Sequence, residues 1–138
     1  MRVFVDTNVL LDVLAEREPF YADSQRVWTL SEAGRIEAFV SAVSFTNCYY
    51  IVRKYAGARR AEKALRLLRD VFTPADLTSQ VINQAMDSGF ADFEDAVQFY
   101  SAARAQAECI ITRDVDHFPR AHPPVLSPAE FLAVHQFD

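Results

Sequence analysis

The hydrophobic positions of this chain alternate between short apolar runs and longer segments in which apolar residues recur at helical spacing. The apolar runs predict buried strands at residues 2–5, 36–40, 109–112 and 125–126. The helical spacing predicts helices over 9–14, 58–71 and 78–86. Two further helices end at glycines: one begins at Pro19 and stops at Gly34, and the other is capped by Ser44 and stops at Gly57. The last two run from Asp92 to about Ala107 and from the cap segment Ser127-Pro128-Ala129-Glu130 onward. Buried strands alternating with helices indicate a parallel sheet covered on both faces, a three-layer α/β/α fold.

Length and composition predict one domain spanning residues 1–138. The chain is 51% hydrophobic, enough for a single core at this length. It contains no apolar run of membrane-spanning length, and Met1 leads directly into a strand pattern without a signal sequence, so we expect a cytoplasmic protein with no membrane partner. Cys48 and Cys109 lack the spacing of metal ligands, and we expect both to be reduced residues of the core.

Polar residues follow three of the predicted strands. They are Asp6 in VFVDTN, Ser41 in FVSAVS and Asp114 in CIITRD, and a further acidic segment, ADFEDA, begins the helix before the last of these strands. Ligands of open parallel sheets collect at the carboxyl ends of the strands. We therefore expect Asp6, Asp95 and Asp114 to converge although they lie far apart in the sequence.

Helix capping is the competing explanation for each of these acids. Asp6 could cap the following helix, but Asn8 is better placed to do so, which favours a functional role for Asp6. Asp92 has the spacing of a cap for its helix and is expected to be one. Asp95 lies in the first helical turn, where a carboxylate is stabilised as an anion. Glu94 projects from another side of that helix, and we expect it to be exposed to solvent.

Three neighbouring carboxylates would raise one another's pKa unless a cation lay between them. Because the donors are all oxygens, with no Cys/His cluster, they favour Mg²⁺ or Mn²⁺ over zinc. Such a cation polarises phosphate oxygens and activates water, which indicates phosphoester hydrolysis. A small-molecule phosphohydrolase with an aspartyl nucleophile is less favoured, because that chemistry needs an acid two residues after the nucleophile and Asn8 stands there.

Four segments, VFVDTNVLLDVL, SAVSFTNCYYIVRK, DFEDAVQFYSA and CIITRDVDHF, together resemble the PIN-domain family and within it the VapC-type toxin ribonucleases. The resemblance implies a five-stranded parallel sheet, a Mg²⁺- or Mn²⁺-dependent endoribonuclease with an RNA substrate, a homodimer, and a cognate antitoxin as protein partner. It matches Asp6, Asp95 and Asp114 to the first, third and fourth acids of the family. The supporting polar residues that we assign around them are Thr7, Asn8, Asp92 and Thr112.

Asn47 occupies the position where the resemblance leads us to expect the second acid, a glutamate. An amide offers a neutral carbonyl in place of a carboxylate, so we expect weaker metal binding while still assigning Asn47 to the catalytic pocket. Asn47 could equally be an ordinary polar residue of a first helical turn. The alternative function is accordingly a catalytically weak or inactive PIN domain that binds RNA or protein.

Charge is distributed unevenly: residues 53–69 carry a net charge of +6, and the rest of the chain carries −11. Helical spacing places Arg59, Lys63 and Arg66 on one side of a helix. This side is either a solvated face or a track for the RNA backbone. Arg113 is a further candidate for phosphate contact, and His117, close to Asp114 in sequence, is a candidate for assisting the leaving group or the attacking water.

Overall fold

The computed structural model describes residues 1–137. Its strands form one parallel sheet in the order β3-β2-β1-β4-β5. The elements are β1 (Arg2–Val5), α1 (Thr7–Leu14), α2 (Tyr21–Glu32), β2 (Glu37–Ser41), α3 (Ala42–Ala56), α4 (Ala58–Val71), β3 (Thr73–Ala75), α5 (Ser79–Asp87), α6 (Phe93–Arg104), β4 (Cys109–Ile111), a 3₁₀ turn (Val115–His117), β5 (Val125–Leu126) and α7 (Pro128–Val134).

Both faces of the sheet are buried. Val3 and Val5 of β1 pack into one hydrophobic cluster together with Leu10 and Leu68, whereas Phe4, between them, packs into a second cluster. Successive side chains of a strand point to opposite faces, so each face has its own core. This confirms the predicted three-layer α/β/α fold. Cys48 and Cys109 are free and buried, as expected.

The strand β3 is absent from the apolar pattern, and only the family resemblance implied a fifth strand. Pro74 lies inside β3, opposite Val40 of β2. A proline cannot donate to a strand ladder and is tolerated at the edge of a sheet. Because β3 is an edge strand of three residues, two of them exposed, it leaves no run of hydrophobic residues to detect.

Two predicted helix caps are wrong because both helices begin earlier than the apolar spacing suggested. Asp6, not Asn8, is the N-cap of α1, and Ser41, not Ser44, is the N-cap of α3. Both caps have an extended backbone, and Asp6 directly follows β1 while Ser41 is the last residue of β2, so no loop separates the strand from the helix. The caps Asp92 and Ser127 are confirmed, the latter within a complete capping box with Glu130.

None of the helices within residues 1–137 is long and apolar enough to cross a membrane.

Helix α7 offers a direct test of the core, because Phe131 is completely buried while Val134 of the same helix is 65% exposed. We expect Phe131→Ala to lower the free energy of unfolding by about 3 to 5 kcal/mol, since it removes a buried ring and leaves a cavity. The control, Val134→Ala, should change it by no more than about 0.5 kcal/mol. Urea unfolding measures both values, and similar losses in the two variants would contradict this packing.

Candidate active site

The carboxyl ends of β1 and β4 carry the acids predicted from the strand pattern. Asp6 directly follows β1, Asp114 follows β4, and Asp95 lies in the first turn of α6. Nδ1 of His117 lies 3.3 Å from Oδ2 of Asp95 and 3.9 Å from Oδ2 of Asp114. Asp6 and Asp114 are connected through Asn8 and Thr112. The structure thus brings the three predicted acids to one edge of the sheet.

Asp6 is a carboxylate held in a buried place. It is 6% exposed, and its Oδ1 accepts a hydrogen bond from Thr7 N at 2.7 Å while its Oδ2 accepts one from Thr112 Oγ1 at 2.8 Å. The pKa of Asp6 is raised to about 6, mainly by burial and to a smaller extent by the negative charges of Asp95 and Glu94, against the opposing effect of these bonds. Asp6 therefore caps α1 and is at the same time an anion that lacks a counter-charge within the described residues.

The segment after β4 is fixed by Asn8 and Thr112. Thr112 Oγ1 accepts hydrogen bonds from Asp114 N at 3.0 Å and from Asn8 Nδ2 at 3.3 Å. The same Asn8 Nδ2 donates to Asp114 Oδ2 at 3.0 Å, and Arg113 N donates to Asn8 Oδ1. These two polar residues orient Asp114 relative to Asp6, which gives a structural basis to the supporting role predicted for them.

Asp95 responds to the other charges at this edge. Burial raises its pKa, and the carboxylates of Asp92 and Asp114 act in the same direction, while His117 lowers it. Asp95 is 17% exposed and Asp114 46% exposed. The two acids thus form a half-open site next to the buried Asp6.

Asn47 faces Glu94 rather than one of the predicted acids. Asn47 Nδ2 donates a hydrogen bond to Glu94 Oε1 at 3.2 Å. Glu94 is exposed, as predicted, but its charge contributes to the raised pKa of Asp6. Sequence reasoning overlooked Glu94 because it treated the other side of α6 as open solvent, whereas the first turn of this helix faces α3. We refer to Asp6, Glu94, Asp95 and Asp114 as the acidic cluster.

Comparison with known proteins identifies the family. A family model described as "PIN domain" matches residues 2–116. The chain belongs to the PIN-domain family. Among curated proteins, this PIN domain is similar to Ribonuclease VapC1 of Aquifex aeolicus (strain VF5), with 26% identity over 121 residues that cover 82% of this chain and 81% of the relative.

Solved structures of low sequence identity share the fold of this PIN domain. VapC20 of Mycobacterium tuberculosis, described as a sarcin-ricin loop cleaving toxin, has a TM-score of 0.67 at 19% identity, covering 83% of this chain and 92% of that one. A toxin-antitoxin complex from Klebsiella pneumoniae gives 0.68 at 19% identity, with coverages of 91% and 97%. VapBC-1 of nontypeable Haemophilus influenzae gives 0.70 at 15% identity, with coverages of 94% and 99%.

Below the acidic cluster of the PIN domain lies a buried polar cluster of Thr7, Ser44 and Gln98. Thr7 Oγ1 and Ser44 Oγ share a hydrogen bond of 2.7 Å, and Gln98 Nε2 donates to Thr7 Oγ1 at 3.1 Å. These residues belong to α1, α3 and α6, the helices that follow Asp6 and carry Asn47 and Asp95. Sequence reasoning missed Gln98, although a glutamine between Val97 and Phe99 on a helix was a usable signal.

Arg113 points toward α1 and α2. Its Nε lies 2.7 Å from Oδ2 of Asp12, which has no exposed surface, and its guanidinium lies 4.0 Å from the centre of the Phe20 ring. Burial raises the pKa of Asp12, while Arg113 and a hydrogen bond from Ser24 lower it. A guanidinium so engaged favours a structural role, and contact of Arg113 with RNA stays a prediction.

The basic residues of α4 occupy its outer side. Arg59, Lys63 and Arg66 are exposed, whereas Ala61, Ala64 and Leu68 are buried. The helical face expected from their spacing is therefore present.

The donors of the acidic cluster fit a hard divalent cation. They are carboxylate oxygens, and the neighbouring negative charges raise the pKa of Asp6 and of Asp95, a repulsion that a cation would relieve. Within residues 1–137, no three acidic, histidine or cysteine side chains converge closely enough to hold a metal ion in the conformations they adopt. Binding would therefore require changes in their side-chain torsions.

Without metal, the buried charge of Asp6 should make stability depend on pH. Its pKa is raised from 3.8 to about 6, so the folded state binds more protons than the unfolded state between these values. Stability therefore falls as pH rises through this window, by up to about 3 kcal/mol from Asp6. In chelator, we expect the free energy of unfolding of Asp6→Asn minus that of wild type to be larger at about pH 8 than at about pH 4, because only wild type loses stability over this range.

Urea unfolding at the two pH values measures this difference. Asp87→Asn, which neutralises an exposed acid, is the matched control and should parallel wild type. If Asp6→Asn also parallels wild type, Asp6 has no elevated pKa.

Proposed function

We propose that this PIN domain is a Mg²⁺- or Mn²⁺-dependent endoribonuclease that hydrolyses RNA phosphodiester bonds. Asp6, Asp95 and Asp114 hold the cation, and Asn47 completes the pocket. The observation that carries the proposal is the buried Asp6, an anion without a counter-charge among the described residues, beside other carboxylates at the open edge of a parallel sheet. Similarity to a protein named as a ribonuclease supports the assignment of substrate.

The residues around the acidic cluster have distinct roles in this reaction. Bound at the cluster, the cation supplies Lewis acidity toward the phosphate and lowers the pKa of a water. Thr7 and Thr112 keep Asp6 in one orientation through their hydrogen bonds, and Asn8 does the same for Asp114. His117, 57% exposed and next to two acids, can carry a proton to the leaving oxygen.

Cleavage of RNA should depend on both the divalent metal and Asp6. With wild type, we expect Mg²⁺ or Mn²⁺ to support cleavage of a structured RNA and chelator to abolish it. Asp6→Asn should reduce the rate by about 100-fold or more, because the cluster loses its buried carboxylate. Gel analysis of labelled RNA measures the rates, with Asp87→Asn as the control of equal charge change.

Equal cleavage by wild type and Asp6→Asn would contradict the proposal. RNA binding without turnover at any metal concentration would instead support the alternative function, a PIN domain that binds without cleaving. Asn47 is the observation that keeps this alternative open, because it replaces an acid with a neutral amide.

The exposed basic face of α4 is proposed as a track for the RNA backbone. The triple variant Arg59→Gln, Lys63→Gln and Arg66→Gln should weaken RNA binding in chelator. It should also reduce the magnitude of the slope of log K against log salt by up to about 2. The reason is that each phosphate contact with a single strand releases counterions on binding, and the variant makes fewer such contacts.

Filter-binding titrations at several salt concentrations measure the slope. The control replaces Arg26, Arg104 and Arg120 with glutamine, which removes the same charge elsewhere on the surface. Identical slopes for the two triple variants would show that α4 has no special part in binding.

We also propose that the protein is the toxin of a toxin-antitoxin pair and has an antitoxin as its partner. The K. pneumoniae structure of the same fold is a toxin-antitoxin complex, which supports this assignment. A largely apolar cavity of about 640 Å³ would suit an amphipathic segment of such a partner, and its lining includes Phe45 and Leu65 together with the charged residues Glu62, Arg66 and Arg69. A homodimer and a cytoplasmic location stay predictions.

A further inference from the structure

Asn47 and Glu94 meet between α3 and α6. Asn47 is half-buried, and its Nδ2 donates to Glu94 Oε1 at 3.2 Å. Glu94 lies in the first turn of α6, immediately before Asp95. The amide of α3 thus holds a carboxylate that belongs to a different helix.

The contact between Asn47 and Glu94 accommodates one negative charge and not two. An amide nitrogen donates to a carboxylate, whereas a second carboxylate at position 47 would face Glu94 across about the same distance and repel it. Because Asn47 engages Oε1, the other oxygen of Glu94 and the remaining lone pairs stay available for another partner. The amide therefore orients Glu94 without neutralising it.

Glu94 also lies on the side of α6 that is tied to Asp6. Gln98, one helical turn after Glu94, donates from Nε2 to Thr7 Oγ1 at 3.1 Å, and Thr7 N donates to Asp6 Oδ1 at 2.7 Å. These bonds hold the N-terminal half of α6, which includes Glu94, next to the segment that carries Asp6.

We infer that Glu94 is the fourth carboxylate of the metal site and that Asn47 positions it, so that α6 supplies the acid that α3 lacks. This inference rests on the proposed function, because it concerns the same cation. Asn47 then acts as a hydrogen-bond donor, because its amide holds Glu94 through nitrogen instead of offering an oxygen to the metal. The site keeps four carboxylates despite the asparagine.

The test exchanges the positions of the two side chains. Glu94→Gln removes the carboxylate, and the double variant Asn47→Glu with Glu94→Gln returns one carboxylate and one amide to the pair in swapped places. Glu32→Gln, the same chemical change at an exposed site on α2, is the matched control. Calorimetric titration with Mn²⁺ alone gives the Kd, and melting in chelator shows whether each variant is folded.

We expect Glu94→Gln to raise the Kd for Mn²⁺ by about 10-fold or more, with an unchanged melting midpoint in chelator, because the residue is exposed. The double variant should bring the Kd back close to that of wild type, and Glu32→Gln should leave it unchanged. The rise in melting midpoint with added Mn²⁺ should follow the same order.

Three results would overturn the inference in distinguishable ways. If Glu94→Gln binds Mn²⁺ as wild type does while Asp6→Asn does not, the metal site exists and Glu94 is outside it. If Glu94→Gln weakens binding but the double variant does not restore it, the exchange between α3 and α6 is wrong. If wild type itself binds no Mn²⁺, the proposed metal-dependent function fails together with the inference.

Discussion

The carboxylate of Asp6 at the end of β1 is the constraint on which the site depends. An anion in a buried place is costly unless it is hydrogen-bonded or paired, and here it accepts hydrogen bonds from Thr7 N and Thr112 Oγ1. Both donors come from segments at the ends of central strands, so the parallel pairing of β1 with β4 has to be in register for Asp6 to be held. The register is set by Val5 opposite Ile111, and Asp6 N donates to Ile111 O at 2.9 Å.

The buried polar cluster extends this constraint to the helices. The hydroxyls and the amide nitrogen at the junction of α1, α3 and α6 are buried and hydrogen-bond to one another. The geometry of these bonds limits sliding of the helices relative to one another, which apolar contacts alone would permit. Asp6 is thereby positioned by Thr7, which donates to it directly, and by Ser44 and Gln98, which act on it through their hydrogen bonds with Thr7.

The strand pattern of the sequence located the central strands together with Asp6 and Asp114, while Asp95 was located from a predicted helix start and from the family resemblance. Apolar runs mark the buried strands, and an acid directly after such a run marks a strand end. The edge strand β3 could not be found this way, because it has three residues of which two are exposed and so forms no apolar run. The early starts of α1 and α3 were missed because each cap ends a strand or directly follows one, which leaves no break in the sequence pattern. The exposure of Glu94 was predicted correctly, but its hydrogen bond with Asn47 was not, because helical spacing gives the direction of a side chain from α6 and not the position of α3 beside it.

The proposed function places two opposite electrostatic demands on the surface. An acidic cluster suited to a cation repels a polyanion, so in that function the attraction of RNA has to come from another part of the surface. The exposed basic face of α4 is such a part, and at physiological ionic strength its field reaches only about 8 Å, so it can act on RNA only in near contact. A cation at the cluster would reduce the local repulsion as well. Binding of metal and binding of RNA should therefore favour one another even where they share no residue.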